Sequence, residues 1–146
     1  MVPDVARRLT GAGHEIVVER GAGEAAAIPD EALEQAGVTL GDSDAVWGAE
    51  IVCKVAKPSE AEIGRLGSAS VLVGFLNPLG DGAMSKALAA SGATTFAMEA
   101  IPRISRAQSM DALSSQATVG GYLAVLIGAQ EMPRFFPMLM LSLIHI

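Results

Sequence analysis

The pattern of apolar and polar positions divides the first two thirds of the chain into short repeated units. Four times, a helical pattern ends at a glycine and an apolar, mostly β-branched run follows. These junctions are Gly13 before residues 16–18, Gly37 before 38–40, Gly67 before 70–73 and Gly92 before 94–96. Glycine readily takes the left-handed conformation that closes a helix, and β-branched residues favour strands. The pattern therefore predicts helices and strands in regular alternation.

The starts of the helices and the composition of the strands indicate the fold class. Three helical patterns are preceded by residues suited to a first helical turn: Pro3, Asp30 ahead of 31–36, and Ser59 with Glu62 as a capping box. Residues 51–55 and 71–76 are almost continuously apolar, which is typical of strands covered by helices on both faces. We therefore predict an α/β fold with a three-layer, mostly parallel sheet. Trp47 is expected in its core.

A long helix is predicted over residues 109–131, with Ser109 as its N-cap. All its faces are apolar, and one stripe consists of small residues: Ala117, Gly121, Ala124 and Gly128. A glycine inside a helix costs about 1 kcal/mol relative to alanine. We therefore expect another backbone, from this domain or from a second subunit, to approach this stripe closely.

Two apolar segments, residues 117–130 and 135–146, stand near the end of the sequence. Each is shorter than the roughly 20 residues that cross a bilayer, and Glu131, Pro133 and Arg134 separate them. We predict that both are buried and that this segment contains no membrane span.

Charge and cysteine content exclude some classes of function. The chain has 16 acidic and 10 basic residues, for a net charge of −6. A nucleic-acid-binding surface needs clustered Lys and Arg, so DNA and RNA are not expected partners. The single cysteine, Cys53, cannot form an internal disulfide and lies in an apolar run, which predicts a core residue in a reducing compartment. The N-terminal residues do not resemble a secretory signal.

A polar loop follows the last predicted strand. Pro102 ends that strand, and the chain then presents Arg103, Arg106, Gln108 and Asp111 within nine residues of sequence. This is the highest density of directional hydrogen-bonding groups in the chain, and such groups orient ligands. We expect the loop to be the functional site.

The residues of this loop also carry a family resemblance. The run 101–117, IPRISRAQSMDALSSQA, followed by Gly121 and Tyr122, closely resembles the NAD(H)-binding subunit of proton-translocating NAD(P) transhydrogenases, which are relatives of alanine dehydrogenase. The resemblance implies that Arg103, Gln108 and Asp111 lie beside the nicotinamide ring as catalytic and cofactor-binding residues. It adds Ser114 as a fourth cofactor-binding residue. No metal is expected, because the sequence has no Cys/His spacing typical of a metal site.

The resemblance extends over residues 3–140 and implies a flavodoxin-like or Rossmann-like N-terminal domain. The relatives begin with an additional strand and continue into a Rossmann domain that holds the cofactor phosphates. We therefore expect residues 1–140 to be a partial domain of this family that lacks both, and residues 141–146 to be a tail outside the family pattern.

The implied function is hydride transfer between NAD(H), bound here, and NADP(H), bound on a partner domain, coupled to proton movement across a membrane. The implied partners are the NADP(H)-binding and membrane domains, with a second copy forming a homodimer. The implied location is peripheral, on the cytoplasmic side of the bacterial inner membrane or on the matrix side in mitochondria.

Ends of the predicted strands supply further candidates, because ligands of parallel sheets bind at the carboxyl ends of the strands. These candidates are Glu19, Arg20, Lys54, Lys57, Asn77 and Glu99, and we expect them to rim one cleft with the Arg103 loop. The glycines Gly21 and Gly23 imitate a dinucleotide fingerprint, but Pro29 interrupts the sequence before a helix can begin there. We interpret them as a turn.

Two alternative functions remain. Alanine dehydrogenases use a lysine and a histidine of this domain, and in this sequence Ala56 and Asn77 stand in those places, although Lys54 and Lys57 flank the first. No grouping for nucleophilic or general acid–base catalysis is present, because neither His14 nor His145 lies near the loop. Hydride transfer between two nicotinamide rings needs no protein proton donor. The other alternative is a non-catalytic binding or assembly fragment.

Overall fold

The computed structural model describes residues 1–136. Six α-helices are described: α1 Pro3–Gly11, α2 Asp30–Glu34, α3 Ser43–Trp47, α4 Glu60–Ile63, α5 Gly82–Ser91 and α6 Ala112–Glu131. Five strands alternate with the first five helices: β1 Val17–Glu19, β2 Thr39–Gly41, β3 Ile51–Lys54, β4 Val71–Gly74 and β5 Thr94–Ala97. Short 3₁₀ segments cover Glu24–Ala26, Met98–Ala100 and Ser105–Met110. The predicted alternation of helix and strand is confirmed.

The chain divides into two compact units, Met1–Ala100 and Ile101–Ile146. In the first unit every described strand pair is parallel, as predicted. The strands are divided between a two-stranded sheet, β1-β2, and a three-stranded sheet, β3-β4-β5, instead of forming the single sheet that the sequence predicts. Within the described residues no backbone ladder joins the two sheets, so each keeps free edges.

Each sheet has its own apolar core. Ala6, Leu33, Ala36 and Val38 pack with the two-stranded sheet. The core of the three-stranded sheet is larger and consists of residues from β3, β4, three helices and two loops: Trp47, Val52, Ile63, Leu66, Leu72, Leu76, Met84 and Leu88. Trp47 is only 6% exposed, which confirms its prediction as a core residue.

Helices cover only one face of the three-stranded sheet in the described residues. Val52 and Leu72 are paired in register and are buried on the covered face. Their neighbours Ile51, Cys53 and Phe96 project from the opposite face and are exposed. The prediction of Cys53 as a core residue is therefore wrong, because alternation along β3 places it on the uncovered face.

The predicted helix ends are confirmed in part. Pro3 opens α1, and the capping box of Ser59 and Glu62 opens α4. Positive φ angles at Gly13, Gly37 and Gly92 place them in the left-handed region that the pattern predicts. Asp30 is not the N-cap of α2. Its carboxylate instead accepts hydrogen bonds from the backbone N–H of Gly21, at 3.0 and 3.1 Å.

Helix α6 dominates the described part of the second unit and buries none of its residues within the described chain. A Cβ atom added at Gly121 or Gly128 would meet no atom within 4 Å. The predicted burial of residues 117–130 is therefore not met by the described residues. The second apolar segment is exposed at Phe135 and Phe136, and residues 137–146 lie outside the described residues.

Helix α6 is long and apolar enough to cross a membrane, judged by its length and composition alone, and its mean hydropathy is 1.3. These two properties do not distinguish a membrane span from a helix that packs against another protein. The absence of a span stays a prediction.

Candidate functional site

The polar loop of the second unit folds as a 3₁₀ helix, Ser105–Met110, that leads to α6. Ala107 is 5% exposed and anchors the loop on its inner side. Its neighbours Arg106 and Gln108 are exposed. The alternation of small apolar and long polar residues therefore leaves the polar groups of the loop accessible to a ligand.

The four predicted site residues come together around one recess of about 460 Å³. Its lining consists of Arg103, Ile104, Ser105, Gln108, Asp111 and Ser114. The recess thus combines a guanidinium group, a carboxamide, a carboxylate and two hydroxyl groups. Such a set supplies both donors and acceptors but only one cation, so it suits the hydroxyl and amide groups of a ligand better than a cluster of phosphates.

Asp111 has a defined structural role at the edge of this recess. One carboxylate oxygen accepts a hydrogen bond from the backbone N–H of Ser114 at 3.0 Å, and the other accepts from the Ser114 hydroxyl at 2.5 Å. The Ser114 hydroxyl and amide, together with the nearby charge of Arg103, hold the pKa of Asp111 below its ordinary value. Asp111 is therefore ionised at neutral pH and is held in place.

These contacts correct the predicted start of the long helix. Asp111, and not Ser109, is the N-cap of α6, and the helix begins at Ala112. Asp111 is the cap because its carboxylate accepts a hydrogen bond from the backbone N–H of Ser114, three residues ahead, whereas Ser109 lies within the 3₁₀ segment. The same residue type that suits a ligand site also suits a helix cap, so the sequence alone does not separate the two roles.

The two arginines of the loop differ as the family resemblance implies. Arg103 lines the recess, but Arg106 is not part of its lining. Ile104 and Ser105 also line it, and the sequence prediction did not include either residue.

The strand-end candidates lie in the first unit. Lys54 pairs with Glu62 and lies over the Trp47 ring, 5.8 Å from its centroid. Lys57 pairs with Asp81 at 2.5 Å. Both lysines therefore have acidic partners within the chain.

Glu19 and Arg20 stand at the end of β1, in the other sheet, and both are exposed. The expectation that all the strand ends share one cleft with the Arg103 loop stays a prediction.

Asn77 and Glu99 lie next to each other at the carboxyl edge of the three-stranded sheet. The carboxylate oxygen Oε1 of Glu99 accepts a hydrogen bond from the backbone N–H of Asn77. Its other oxygen, Oε2, is buried and has no hydrogen-bond partner among the described residues. Asn77 has a left-handed backbone, with φ of 48°.

The interpretation of Gly21 and Gly23 as a turn is confirmed. The backbone N–H of Gly21 is occupied by Asp30, and the segment that follows is a 3₁₀ helix of three residues. A Cβ atom at Gly23 would lie 2.3 Å from the carbonyl oxygen of Ile28, so the glycine serves a close backbone contact. No dinucleotide-binding helix begins here.

Comparison with known families identifies the family that the loop residues resemble. The family described as "Alanine dehydrogenase/PNT, N-terminal domain" matches residues 1–120. The chain belongs to this family. The parallel α/β architecture of the first unit is thus the architecture of an alanine dehydrogenase/PNT N-terminal domain. The boundary predicted at residue 140 is not tested by this match, and the predicted tail, 141–146, lies outside the described residues.

Individual relatives refine the comparison. The NAD(P) transhydrogenase alpha subunit of Rhodospirillum rubrum, in its first polypeptide, is 44% identical over 145 residues, which cover 94% of this chain and 38% of the relative. The crystal structure of transhydrogenase from Sinorhizobium meliloti matches with a TM-score of 0.88 and 42% identity, over 96% of this chain and 42% of that one. A solved L-alanine dehydrogenase matches with a TM-score of 0.81 and 27% identity, over 89% and 36% of the two chains.

These matches rank transhydrogenase ahead of alanine dehydrogenase in similarity to this chain. They also show that this alanine dehydrogenase/PNT N-terminal domain spans well under half the length of the relatives that it matches.

Proposed function

We propose that this chain is part of the NAD(H)-binding subunit of a proton-translocating NAD(P) transhydrogenase. The observation that carries the proposal is the convergence of Arg103, Gln108, Asp111 and Ser114 on one recess. The 44% identity to a transhydrogenase alpha subunit supports the same assignment. In the complete enzyme a hydride would pass between NAD(H) and NADP(H), coupled to proton movement across the membrane.

The residues of the recess fit the nicotinamide end of NAD(H). A carboxamide needs one donor and one acceptor from the protein, and ribose hydroxyls need the same. Gln108 offers both kinds of group, Asp111 and the Ser114 hydroxyl oxygen accept, and Arg103 donates. When bound, NAD(H) supplies the hydride-carrying ring, and no acid or base from this chain is required.

The role of the chain in this reaction is orientation. The Ser114 amide and hydroxyl fix the Asp111 carboxylate at the start of α6, so its direction is set before a ligand arrives. Groups held in advance in this way speed a reaction by reducing the ordering that the reactive geometry requires. Asp111 remains charged at neutral pH and keeps a negative group beside the Arg103 guanidinium.

The alternative of an alanine dehydrogenase has less support. The two lysines that flank Ala56 are engaged with Glu62 and Asp81, and Asn77 cannot exchange a proton near neutral pH. The other alternative, a non-catalytic assembly fragment, is favoured by the apolar surface of α6, which the described chain leaves exposed.

The decisive experiment compares Arg103→Ala with Arg106→Ala in the complete enzyme assembled with its NADP(H)-binding partner. Both arginines belong to the same loop and both are exposed, but only Arg103 lines the recess. We expect Arg103→Ala to slow single-turnover hydride transfer by roughly ten- to a hundred-fold, the equivalent of a charge-assisted hydrogen bond. Arg106→Ala should leave the rate within about twofold, because nothing in the recess changes.

Equilibrium NADH binding, measured beside the rate, separates orientation from anchoring. Affinity nearly unchanged in Arg103→Ala supports a group that acts in the reactive geometry. An equal loss of NADH affinity and of rate in Arg103→Ala would mean that the loop only binds the cofactor and does not orient it for the reaction. Equal rates in the two variants would refute the assignment of the recess.

Partners and location are part of the same proposal. We propose NADP(H)-binding and membrane domains as partners, a homodimer as the oligomeric state, and a peripheral location on the cytoplasmic or matrix side of the membrane. Light scattering on the purified chain tests the dimer. A monomer at high concentration would contradict it.

A further inference from the structure

Ile104 is the one apolar residue among those that line the recess of the second unit. Its side chain is 53% exposed in the described chain, so the fold does not bury it in a core. Ile104 is also the N-cap residue of the 3₁₀ helix Ser105–Met110, and its side chain makes no capping hydrogen bond. Isoleucine is among the residues least suited to cap a helix. Neither burial nor helix capping therefore accounts for an isoleucine at this position.

The backbone of Ile104 is held on both sides by hydrogen bonds. Its N–H donates to the carbonyl oxygen of Pro102 at 2.9 Å, and its own carbonyl oxygen accepts from the N–H of Ala107 at 2.9 Å. Ala107 is itself buried. A β-branched side chain on a fixed backbone loses little freedom when a ligand covers it, because its χ1 angle is already restricted. The recess therefore presents an apolar surface that is held in place before a ligand arrives.

The chemistry of the lining indicates what kind of ligand group this surface would meet. Ile104 stands among polar side chains, which include the guanidinium of Arg103, the carboxamide of Gln108 and the carboxylate of Asp111. A flat ring with a polar substituent suits this combination, because an apolar side chain can cover a ring face while polar groups bond to the substituent. A phosphate has no apolar face for Ile104 to contact.

We propose that Ile104 is a further cofactor-contacting residue, whose side chain covers part of one face of the nicotinamide ring and excludes water from it. The choice of ring rests on the proposed function. The contact exchanges no proton and forms as soon as the cofactor binds, so it stabilises the bound state and the reactive state alike. Ile104 and Arg103 therefore have separable effects, the first on NADH binding and the second on the rate of hydride transfer.

The test measures NADH binding to the complete enzyme in two variants of nearly equal shape. Ile104→Val and Ile104→Thr differ only in that threonine has a hydroxyl group where valine has a methyl group. We expect Ile104→Val to keep NADH affinity within about threefold of the wild type, and Ile104→Thr to bind at least about fourfold more weakly than Ile104→Val. Met110→Thr is the control and should stay within about twofold, because Met110 is 52% exposed in the same 3₁₀ helix but does not line the recess.

Emission from bound NADH gives a second readout, which depends neither on turnover nor on affinity once the cofactor saturates the enzyme. The fluorescence of the reduced nicotinamide ring rises when the ring is shielded from water. We expect emission at saturation to be lower in Ile104→Thr than in Ile104→Val and to be unchanged in Met110→Thr. Ile104 is half exposed, so we expect these variants to fold. If Ile104→Thr does not fold, Ile104→Ala takes its place in the same comparison.

Equal affinity and equal emission in Ile104→Val and Ile104→Thr would overturn the contact, and so would a loss of the same size in Met110→Thr. Arg103→Ala separates this inference from the proposed function. A slowed rate in Arg103→Ala, with no difference between the two Ile104 variants, would overturn the inference and leave the proposed function intact. A difference between the Ile104 variants beside an unchanged rate in Arg103→Ala would support the Ile104 contact, while the orienting role proposed for Arg103 would fail.

Discussion

Helices α5 and α6 are both rich in apolar residues, but they have different surroundings. In the first unit, α5 buries Met84 and Leu88 against the three-stranded sheet. In the second, α6 has twice the length and buries no residue of the described chain. An apolar helix indicates that its surface is adapted to pack against other residues, but only the structure shows whether the same chain supplies them. The first unit supplies a packing surface for α5, whereas the described residues of the second unit supply none for α6.

The sharpest test of this contrast is a pair of leucine substitutions. Leu88 is 5% exposed on α5, and Leu123 is 52% exposed on α6. We expect Leu88→Ala to lower the free energy of unfolding by about 2–5 kcal/mol, because it leaves a cavity. Leu123→Ala should change it by no more than about 0.5 kcal/mol, since an exposed side chain loses little on truncation. Denaturant unfolding of the two variants measures both values. Equal losses would mean that α6 is packed within the chain in solution.

The cap of α6 gives a second test, with a smaller expected effect. Asp111→Ala removes both hydrogen bonds to Ser114 and should loosen the first turn, so that the amides of Ser114 and Ser115 exchange with solvent several-fold faster. Asp111→Asn removes the charge but keeps a capping side chain, so it should speed exchange much less. Hydrogen exchange followed by NMR is the measurement. If Asp111→Ala leaves exchange unchanged, the carboxylate is available for a ligand alone and has no part in the helix.

The smallest expected effect concerns Glu62 at the start of α4. The hydrogen bond from Lys54, and then the backbone N–H of Ser59, hold the pKa of the Glu62 carboxyl below its ordinary value of 4.5. A carboxylate with a lowered pKa stabilises the fold fully above its unfolded value, and this stability is lost as the pH falls through the folded value. The side chain is partly exposed, so solvent screening limits the effect to a fraction of a kcal/mol.

Glu62→Gln is the matched variant, because glutamine keeps the capping geometry and does not titrate. We expect the difference in unfolding free energy between wild type and variant to shrink below pH 4.5. A difference that stays constant from about pH 7 to about pH 3 would show that the Glu62 charge contributes nothing.

Most of the first unit could be predicted from the sequence because its signals are local. Glycines at helix ends, the capping box at Ser59 and the β-branched runs each act over a few residues. The capping box, the runs and three of the four glycines were confirmed, whereas Gly67 is not in the left-handed region and α4 ends earlier, at Ile63. The exposure of Cys53 could not be predicted in the same way. It depends on which face of β3 is covered, and a continuous apolar run carries no information about that.

The candidate site shows a similar limit. The density of polar groups and the family resemblance identified four residues that the structure brings to one recess. The chemistry of the loop does not distinguish Arg103 from Arg106, because both are long cations in the same short loop. The family resemblance selected Arg103, and Arg103 is the arginine that lines the recess. Asp111 was singled out for its chemistry, whereas its role as the N-cap of α6 depends on where the helix starts.

Trp47 is the chain's single tryptophan, and it belongs to only one of the two cores of the first unit. Its fluorescence therefore reports chiefly on the environment of the three-stranded sheet, because the core around Leu33 contains no tryptophan. Circular dichroism reports on both halves of the first unit, the two-stranded sheet and the three-stranded sheet with their helices, because each contains helix and strand. Any separation between the two transition midpoints gives a direct measure of how independently the halves unfold.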